Sequence, residues 1–401
     1  MLRVLTLSTL FPDATRPNFG VFVERQTLGL AAHPDVRLKA VAPLGLPPGP
    51  LRHLPARAAL AALPDRQNWK GIEVLRPRFT AWPLTGGRWH AQALERALIP
   101  VLDHLRADFA FDVIDASFFF PDGLAAVALG KRYGVPVSIK ARGADIHHWG
   151  RARATAAQIR AAGQGAAGLL AVSAAMKADM VALGMPADRI TVHATGVDQD
   201  RFVPLDRRTA KVPLGIEGPL ILLLGALIPR KGHDVVIEAV ATLPGVSLLI
   251  AGEGPDRARL EALIARTGTA DRIRLLGSIP HADLPELIAA ADVMALASSS
   301  EGLANAWVEA LACGTPIVIT DAGGAAEVVT SPDAGRITAR TPAAFAAAIT
   351  DLLSNPPSPA ATRATATRFT WGANTAALYA HLAGLVDQGI ERARDPAPFA
   401  A

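Results

Sequence analysis

Short apolar runs of strand length recur along this chain, each followed by a stretch with helical spacing, and the series runs twice. In the first half the runs are RVLTLS, VRLKAV, GIEVLR, DVIDAS, PVSIKA, GLLAVS and RITVHA. Among them lie the helix-like segments GVFVERQTLGLAA, GRWHAQALERALIPVLDHLR and DGLAAVALGKRYG. A second series begins near residue 219 with PLILLLG, VSLLIAG, RIRLLG, DVMALA and PIVIT. Strands alternating with helices predict an α/β fold with parallel sheets. A chain of 401 residues has room for two domains, each with its own core. Between the series, GVDQDRFVPLDRRTAKVPLGIEG is polar, carries Pro204 and Pro213, and lacks periodicity, as a linker does. The reading is therefore a first domain at residues 1–197, a second at 198–370, and a C-terminal segment at 371–401. The helix of that last segment is expected to pack back across the boundary. A Pro-rich loop, PLGLPPGPLRHLP, interrupts the first half at 43–55, followed by an Arg-rich stretch with Trp69 and Trp82. Open α/β sheets bind ligands at the carboxyl ends of their strands, so the loops after strands, around a shared cleft, are expected to carry the chemistry.

Composition excludes several classes. Hydrophobic residues make up 50% and charged residues 19% of the chain, as in an Ala-rich globular enzyme. The single cysteine, Cys313, permits no intrachain disulfide, which points to a reducing compartment and a cytoplasmic location. MLRVLTLSTLFP is too short an apolar run for a signal peptide and reads as a first strand. No apolar run approaches the ~20 residues of a membrane span. Charge is uneven: residues 1–197 hold 23 Lys and Arg against 14 Asp and Glu, whereas 198–401 hold 17 against 22. A basic first half favours an acidic partner, an anionic membrane surface or a phosphorylated carrier. Nucleic acid is not expected, because no binding motif or aromatic–basic interleaving is present.

The richest stretch is residues 298–327, SSSEGLANAWVEALACGTPIVITDAGGAAE. Glu301 lies in a loop, and Glu309 lies about one turn inside an apolar helix-like run. Asn305 is a suitable N-cap, so a helix beginning there aims free N–H groups and its positive end toward Glu301. Ser298-x-x-Glu301 also reads as a capping box. Glu309 is different: flanked by Ala306, Trp307, Val308, Ala310, Leu311 and Ala312, its carboxylate requires a hydrogen-bonding partner, which ribose hydroxyls would supply. One carboxylate on each side of an anion site outlines a nucleotide-sugar pocket.

Other loops add to it. After PLILLLG come Arg230 and Lys231, two cations before a helix, which suit a diphosphate without a metal. After VSLLIAG come Gly252 and Glu253 in a tight turn, and after RIRLLG comes Ile279, whose backbone suits a base edge. In the first half Gly20 opens the first helix, where its missing side chain permits close approach of sugar or phosphate. ARGADIHHW places Arg142 and Asp145 after a strand; its vicinal His147 and His148 lack a third ligand for a metal. GQGAAG (163–168) fits a dinucleotide fingerprint but precedes a strand, and Asp198 and Asp200 fall in the linker. P-loop, HExxH, CxxC and GxSxG patterns are absent.

Taken together, the segments RGADI, VSAAMKADMVALG, TGVDQDRF, RKG, AGEGP, LGSIPHADLPELIAAADVMALASSSEG and WVEALACGTPIV resemble the retaining family 4 glycosyltransferases. The resemblance spans nearly the whole chain, and the Glu-x7-Glu pair is its specific part. It implies the GT-B fold, two Rossmann-like domains facing each other across a cleft. It also implies transfer of a sugar from a UDP- or GDP-linked donor to an acceptor hydroxyl, on a glycan or lipid-linked acceptor, with retention and with no metal or other cofactor. By that resemblance Lys231, with Arg230, holds the diphosphate and Glu301 the donor sugar. Glu309 holds the ribose, and the N–H groups of Leu303, Ala304 and Asn305 reach the sugar and distal phosphate. Two departures stand out: Gly225-Ala226-Leu227 where the family has Gly-Arg-Leu, and Arg142-Gly143-Ala144-Asp145 where it often has His-Gly-x-Asp. They keep open a nucleotide-sugar-binding protein without turnover, and the fold also admits a nucleotide-sugar epimerase.

Overall fold

The computed structural model describes residues 1–394. It divides into two compact units, one comprising Met1–Ala194 with the segment from Trp371 onward, the other Thr195–Thr370.

In the first unit an eight-stranded sheet is built from β1 (Leu2–Leu7), β2 (Val36–Val41), β4 (Arg66–Trp69), β5 (Ile72–Leu75), β7 (Val113–Ala116), β8 (Val137–Ala141), β9 (Gly168–Ala171) and β10 (Ile190–Val192). Their order is β10-β9-β8-β7-β1-β2-β5-β4. All neighbours are parallel except β4, which folds back antiparallel on β5 as an edge. The seven apolar runs of the first half are the seven parallel strands. The segment expected as a Pro-rich loop is more ordered than that. Leu44–Leu46 is strand β3, paired in parallel with β6 (Arg78–Thr80) in a separate two-stranded ribbon, and Gly49–His53 is a 3₁₀ turn.

The helix Trp371–Arg394 completes this unit. Its Leu378 and Leu382 are fully buried in one cluster with Val4, Leu30, Val36, Val113 and Leu170. Each such leucine contributes about 1.5–3 kcal/mol on leaving water. Tyr379 stacks on His33 with ring centroids 4.0 Å apart.

In the second unit six parallel strands, β11 (Leu220–Leu224), β12 (Ser247–Ala251), β13 (Ile273–Gly277), β14 (Val293–Leu296), β15 (Ile317–Thr320) and β16 (Gly335–Thr338), take the order β13-β12-β11-β14-β15-β16. This is the Rossmann order, growing outward from the first strand to one side and then to the other, so the loops after β11 and β14 meet where the direction reverses. The first five strands match the second apolar series. β16, sequence GRIT, has one apolar residue and a half-exposed edge position, so no apolar run announces it.

The stretch expected as a linker is not one. Phe202 is buried, Arg207–Lys211 is a short helix, and Lys211 Nζ donates to Asp292 Oδ2 at 2.6 Å. Where the chain enters and leaves this unit, Val197 N donates to Phe369 O at 3.1 Å, so the two ends lie side by side. No helix among the described residues is long and apolar enough to cross a membrane.

Candidate functional site

Two loops of the second unit build the site, because β11 and β14 are neighbours in the sheet. After β11 the chain makes a loop, then a 3₁₀ turn over Pro229–Lys231, then the helix His233–Ala241. Gly232 joins the last two in a left-handed conformation, φ 65°, and a Cβ there would lie 2.1 Å from Ala297 O in the β14 loop. Only glycine permits that approach. Ser299 N donates to Arg230 O at 2.8 Å, closing one loop on the other.

The contact presents Lys231 and Arg230 to Glu301. Lys231 Nζ lies 2.5 Å from Glu301 Oε1, and Arg230 Nη1 3.4 Å from Oε2. Ser298 Oγ donates to Oε1 at 2.6 Å, so the Ser298–Glu301 spacing serves the carboxylate and not a helix cap. Arg230 also donates to Ser300 O. Burial pushes the Glu301 carboxyl up; the charges of Lys231 and Arg230 and the hydrogen bonds from Lys231 and Ser298 outweigh it and hold it below the ordinary carboxylate range. Lys231 is 14% and Glu301 8% exposed, while Arg230, at 38%, reaches solvent.

Beyond Glu301 the helix Asn305–Ala312 begins, one residue earlier than an Asn305 cap requires. Ala304 occupies the cap position in extended conformation, with no side-chain cap bond. The correction leaves the helix end more open than expected. Among the described residues no hydrogen bond engages the N–H of Leu303, Ala304, Asn305 or Ala306. Uncapped amides carry the positive end of the helix dipole, which favours an anion beside them.

Glu309 finds its partner within the protein. Its Oε1 pairs with His281 Nε2 at 2.8 Å, and the imidazole lies 5.5 Å from the Phe202 ring. The residue pattern points Glu309 to ribose hydroxyls and gives no sign of this pairing with His281, which stands two residues past Ile279 in the loop after β13. Gly252 and Glu253 bind the neighbouring loops together: a Cβ on Gly252 would lie 1.9 Å from Gly225 O, and Leu227 N donates to Glu253 O at 2.9 Å. Arg340 is a further residue that no motif announces. It donates from Nε to Ala297 O at 2.8 Å and from Nη2 to Pro229 O at 3.1 Å, pinning both loops of the site.

Gly20, Arg142 and Asp145 belong to the first unit, where Arg142 and Asp145 are joined by a hydrogen bond. Gly20, φ 71°, caps its helix, and a Cβ there would lie 2.5 Å from Leu10 O, so the close approach it permits is to its own loop. The Asp145 carboxylate accepts from the backbone N–H of Arg142 (3.0 Å), Gly143 (2.8 Å) and Phe119 (3.2 Å). Burial raises it, and those amides work against the rise. Arg142 donates to Ser117 O at 3.2 Å and Gln26 Oε1 at 3.1 Å; burial lowers it to about 10, leaving it a cation at neutral pH. His147 pairs with Asp179 at 2.8 Å.

Two family models match this chain: Glycosyl transferases group 1 over residues 206–369, and Glycosyltransferase Family 4 over residues 61–201. The chain belongs to glycosyltransferase family 4. Over 144 residues it is 40% identical to the D-inositol 3-phosphate glycosyltransferases of Mycobacterium bovis and Mycobacterium tuberculosis, a stretch covering 34% of this chain and 30% of those relatives. The matched stretch thus spans under a third of the relatives' length. Among solved structures, sucrose-phosphate synthase from Thermosynechococcus elongatus superposes with TM-score 0.75 at 19% identity, covering 98% of this chain and 99% of that one. The Anabaena protein HepE in complex with UDP gives 0.73 at 19% identity, over 96% and 100%; its complex with UDP-glucose gives 0.72 at 20%, over the same shares. These likenesses show the fold, GT-B.

Proposed function

We propose that this family 4 member is a retaining glycosyltransferase that moves a hexose-type sugar from a nucleotide-sugar to an acceptor hydroxyl, on a glycan or lipid-linked acceptor of the cell envelope. The observation that carries the reading is the cluster of Lys231, Arg230 and Glu301 at the reversal of strand order, beside an uncapped helix end. A nucleoside diphosphate placed there meets two cations and free amides. Its own charge can replace Glu301 as their partner, freeing that carboxylate to accept from sugar hydroxyls. Glu309 then accepts from the ribose, with His281 holding its orientation. Arg230 supplies the second cation that the loop lacks at Ala226.

In the reaction the bond from the sugar's anomeric carbon to the diphosphate oxygen breaks through an oxocarbenium-like state, and the acceptor oxygen bonds to that carbon from the same face. The acceptor's proton passes to the departing phosphate. Charge grows on that phosphate, so Lys231, Arg230 and the helix amides stabilise the transition state more than the ground state. Because these groups supply the positive charge, the reading requires no metal ion. UDP is the favoured carrier, supported by the UDP and UDP-glucose complexes of HepE.

The test is to incubate the protein with UDP- and GDP-hexoses in EDTA, with and without envelope glycolipid acceptors, and measure nucleotide release and labelled product. Acceptor-dependent product with retained anomeric configuration is expected. Interconversion of the donor without acceptor would instead identify an epimerase, and saturable binding with no product a non-catalytic protein.

A further inference from the structure

The first unit carries a second feature that donor chemistry does not use. β3 and β6 run in parallel, with Leu46 opposite Thr80, so the segments after them leave the ribbon at the same end. There the chain exposes Leu51 (43%), Leu54 (52%), Trp82 (45%), Leu84 (106%) and Trp89 (49%). The other four tryptophans are buried or half-buried. Leu84 sits at the tip with φ 62°, a conformation that leucine rarely adopts. Neither packing nor backbone preference explains a leucine at that position.

The charge around this apolar tip is of one sign. A third segment lies against it: Gln158 Nε2 donates to Arg88 O at 3.1 Å, and Ala154 flanks Gly86. Residues 36–64, 74–94 and 146–178, which contain these three segments, hold no Asp or Glu. Arg52, Arg88, Arg151 and Arg153 are exposed, and among the described residues none has a carboxylate partner.

We infer that the exposed end of the β3/β6 ribbon, with Trp82, Leu84 and Trp89 at its tip and Arg88, Arg151 and Arg153 around them, docks on an anionic lipid bilayer. Indole rings settle at headgroup depth, a protruding leucine enters the acyl boundary, and guanidinium groups bind lipid phosphates. A second copy of this chain fits poorly, because it would set the same arginines against each other. Nucleic acid would need a basic surface carrying a recognised binding motif, and these segments hold none. The inference goes beyond the donor site and does not depend on it.

Co-sedimentation of the full chain with vesicles of equal parts phosphatidylglycerol and phosphatidylcholine tests it. The wild type should bind these vesicles, bind pure phosphatidylcholine far more weakly, and release in high salt. The triple variant Trp82→Ser, Leu84→Ser, Trp89→Ser should lose roughly tenfold or more in partitioning. Each of Arg88→Glu and Arg151→Glu should lose about fivefold or more. All these residues are exposed, so thermal melting and nucleoside-diphosphate binding should stay at wild-type levels in every variant. Intact diphosphate binding also separates failure here from failure of the glycosyl-transfer reading. Equal sedimentation of wild type and triple variant, no binding to the mixed vesicles, or a wild-type dimer abolished by Leu84→Ser would each overturn the inference.

Discussion

At the carboxyl ends of β11 and β14, Lys231, largely buried, and Arg230, which reaches solvent, share one carboxylate, Glu301. The corresponding place in the first unit, where β1 and β7 meet, is also polar, but it is closed. Asp115 and Lys140 are 1% and 0% exposed. Lys140 Nζ donates to Gln26 Oε1 at 3.0 Å and contacts His193 Nδ1 at 2.6 Å. Burial drives the Lys140 ammonium well below its ordinary value and raises Asp115 to about 6. Among the described residues Gln26 Nε2, Asp115 Oδ1 and Ser117 Oγ have no hydrogen-bond partner. The same topology thus yields an ion pair with a solvent-reaching arginine in one unit and a buried polar cluster in the other. On the proposed reading an arriving phosphate displaces Glu301 from its cations, whereas the interior groups face no solvent from which an anion could reach them.

Substitutions can break or sharpen that contrast. The largest effect is expected from Lys231→Ala, which removes the cation nearest Glu301 and leaves that carboxylate with Arg230 and the Ser298 hydroxyl. Transfer rate should fall by about 10²–10³, as on loss of a transition-state charge partner, measured as nucleotide release under saturating donor. A rate within a fewfold of wild type would contradict the exchange picture.

Next is a test of the closed region. Burial raises Asp122 from 3.8 to about 7, with Asp145 adding to the rise, and among the described residues its Oδ1 has no partner. The folded chain therefore binds a proton that the unfolded chain has lost between those values. This contribution to stability is full below the unfolded value and is lost as pH rises through about 7. Asp122→Asn keeps an acceptor for Thr9 N and removes the charge. Melting at about pH 8 should show the variant more stable by on the order of 1–4 kcal/mol, with a smaller gain near about pH 5. A gain independent of pH would show that Asp122 is not titrating in this range.

His281→Ala should be milder. If His281 orients Glu309, KM for donor should rise about five- to tenfold with kcat nearly unchanged, and His281→Gln should restore part of the loss. An equal fall in kcat would place the histidine in the chemistry instead. Smallest is Ala226→Arg. Ala226 is exposed in the β11 loop, so a longer side chain has room, and a third cation should tighten nucleoside-diphosphate binding roughly two- to fivefold. Unchanged affinity would mean that Arg230 already fills that role.

Much of this was legible in the residues. Strands such as LILLL and IVIT are buried along their whole length and announce themselves as apolar runs. β4, RQNW, alternates exposed and half-exposed residues on an edge, and β3 and β6 have three residues each, too few for a period to show. In the site, Lys231 and Glu301 stood out through their loop positions. His281 and Arg340 did not: His281 meets Glu309 across 28 residues, and Arg340 reaches across 43 and 111. Those contacts exist because β13, β14 and β16 take particular places in the sheet, which local pattern does not encode. The expected Asn305 cap differs from the observed one for a similar reason, since backbone conformation at Ala304, φ −73° and ψ 126°, decides where the helix starts.

The central claim is that Lys231, Arg230 and the open helix end bind a diphosphate without an ion. Calorimetric titration of UDP into the protein in excess EDTA, beside Lys231→Ala, tests it most directly. Saturable wild-type binding that weakens at least about tenfold in the variant is the predicted result. Equal affinity in both proteins, or wild-type binding that appears only when a divalent cation is restored, would contradict it.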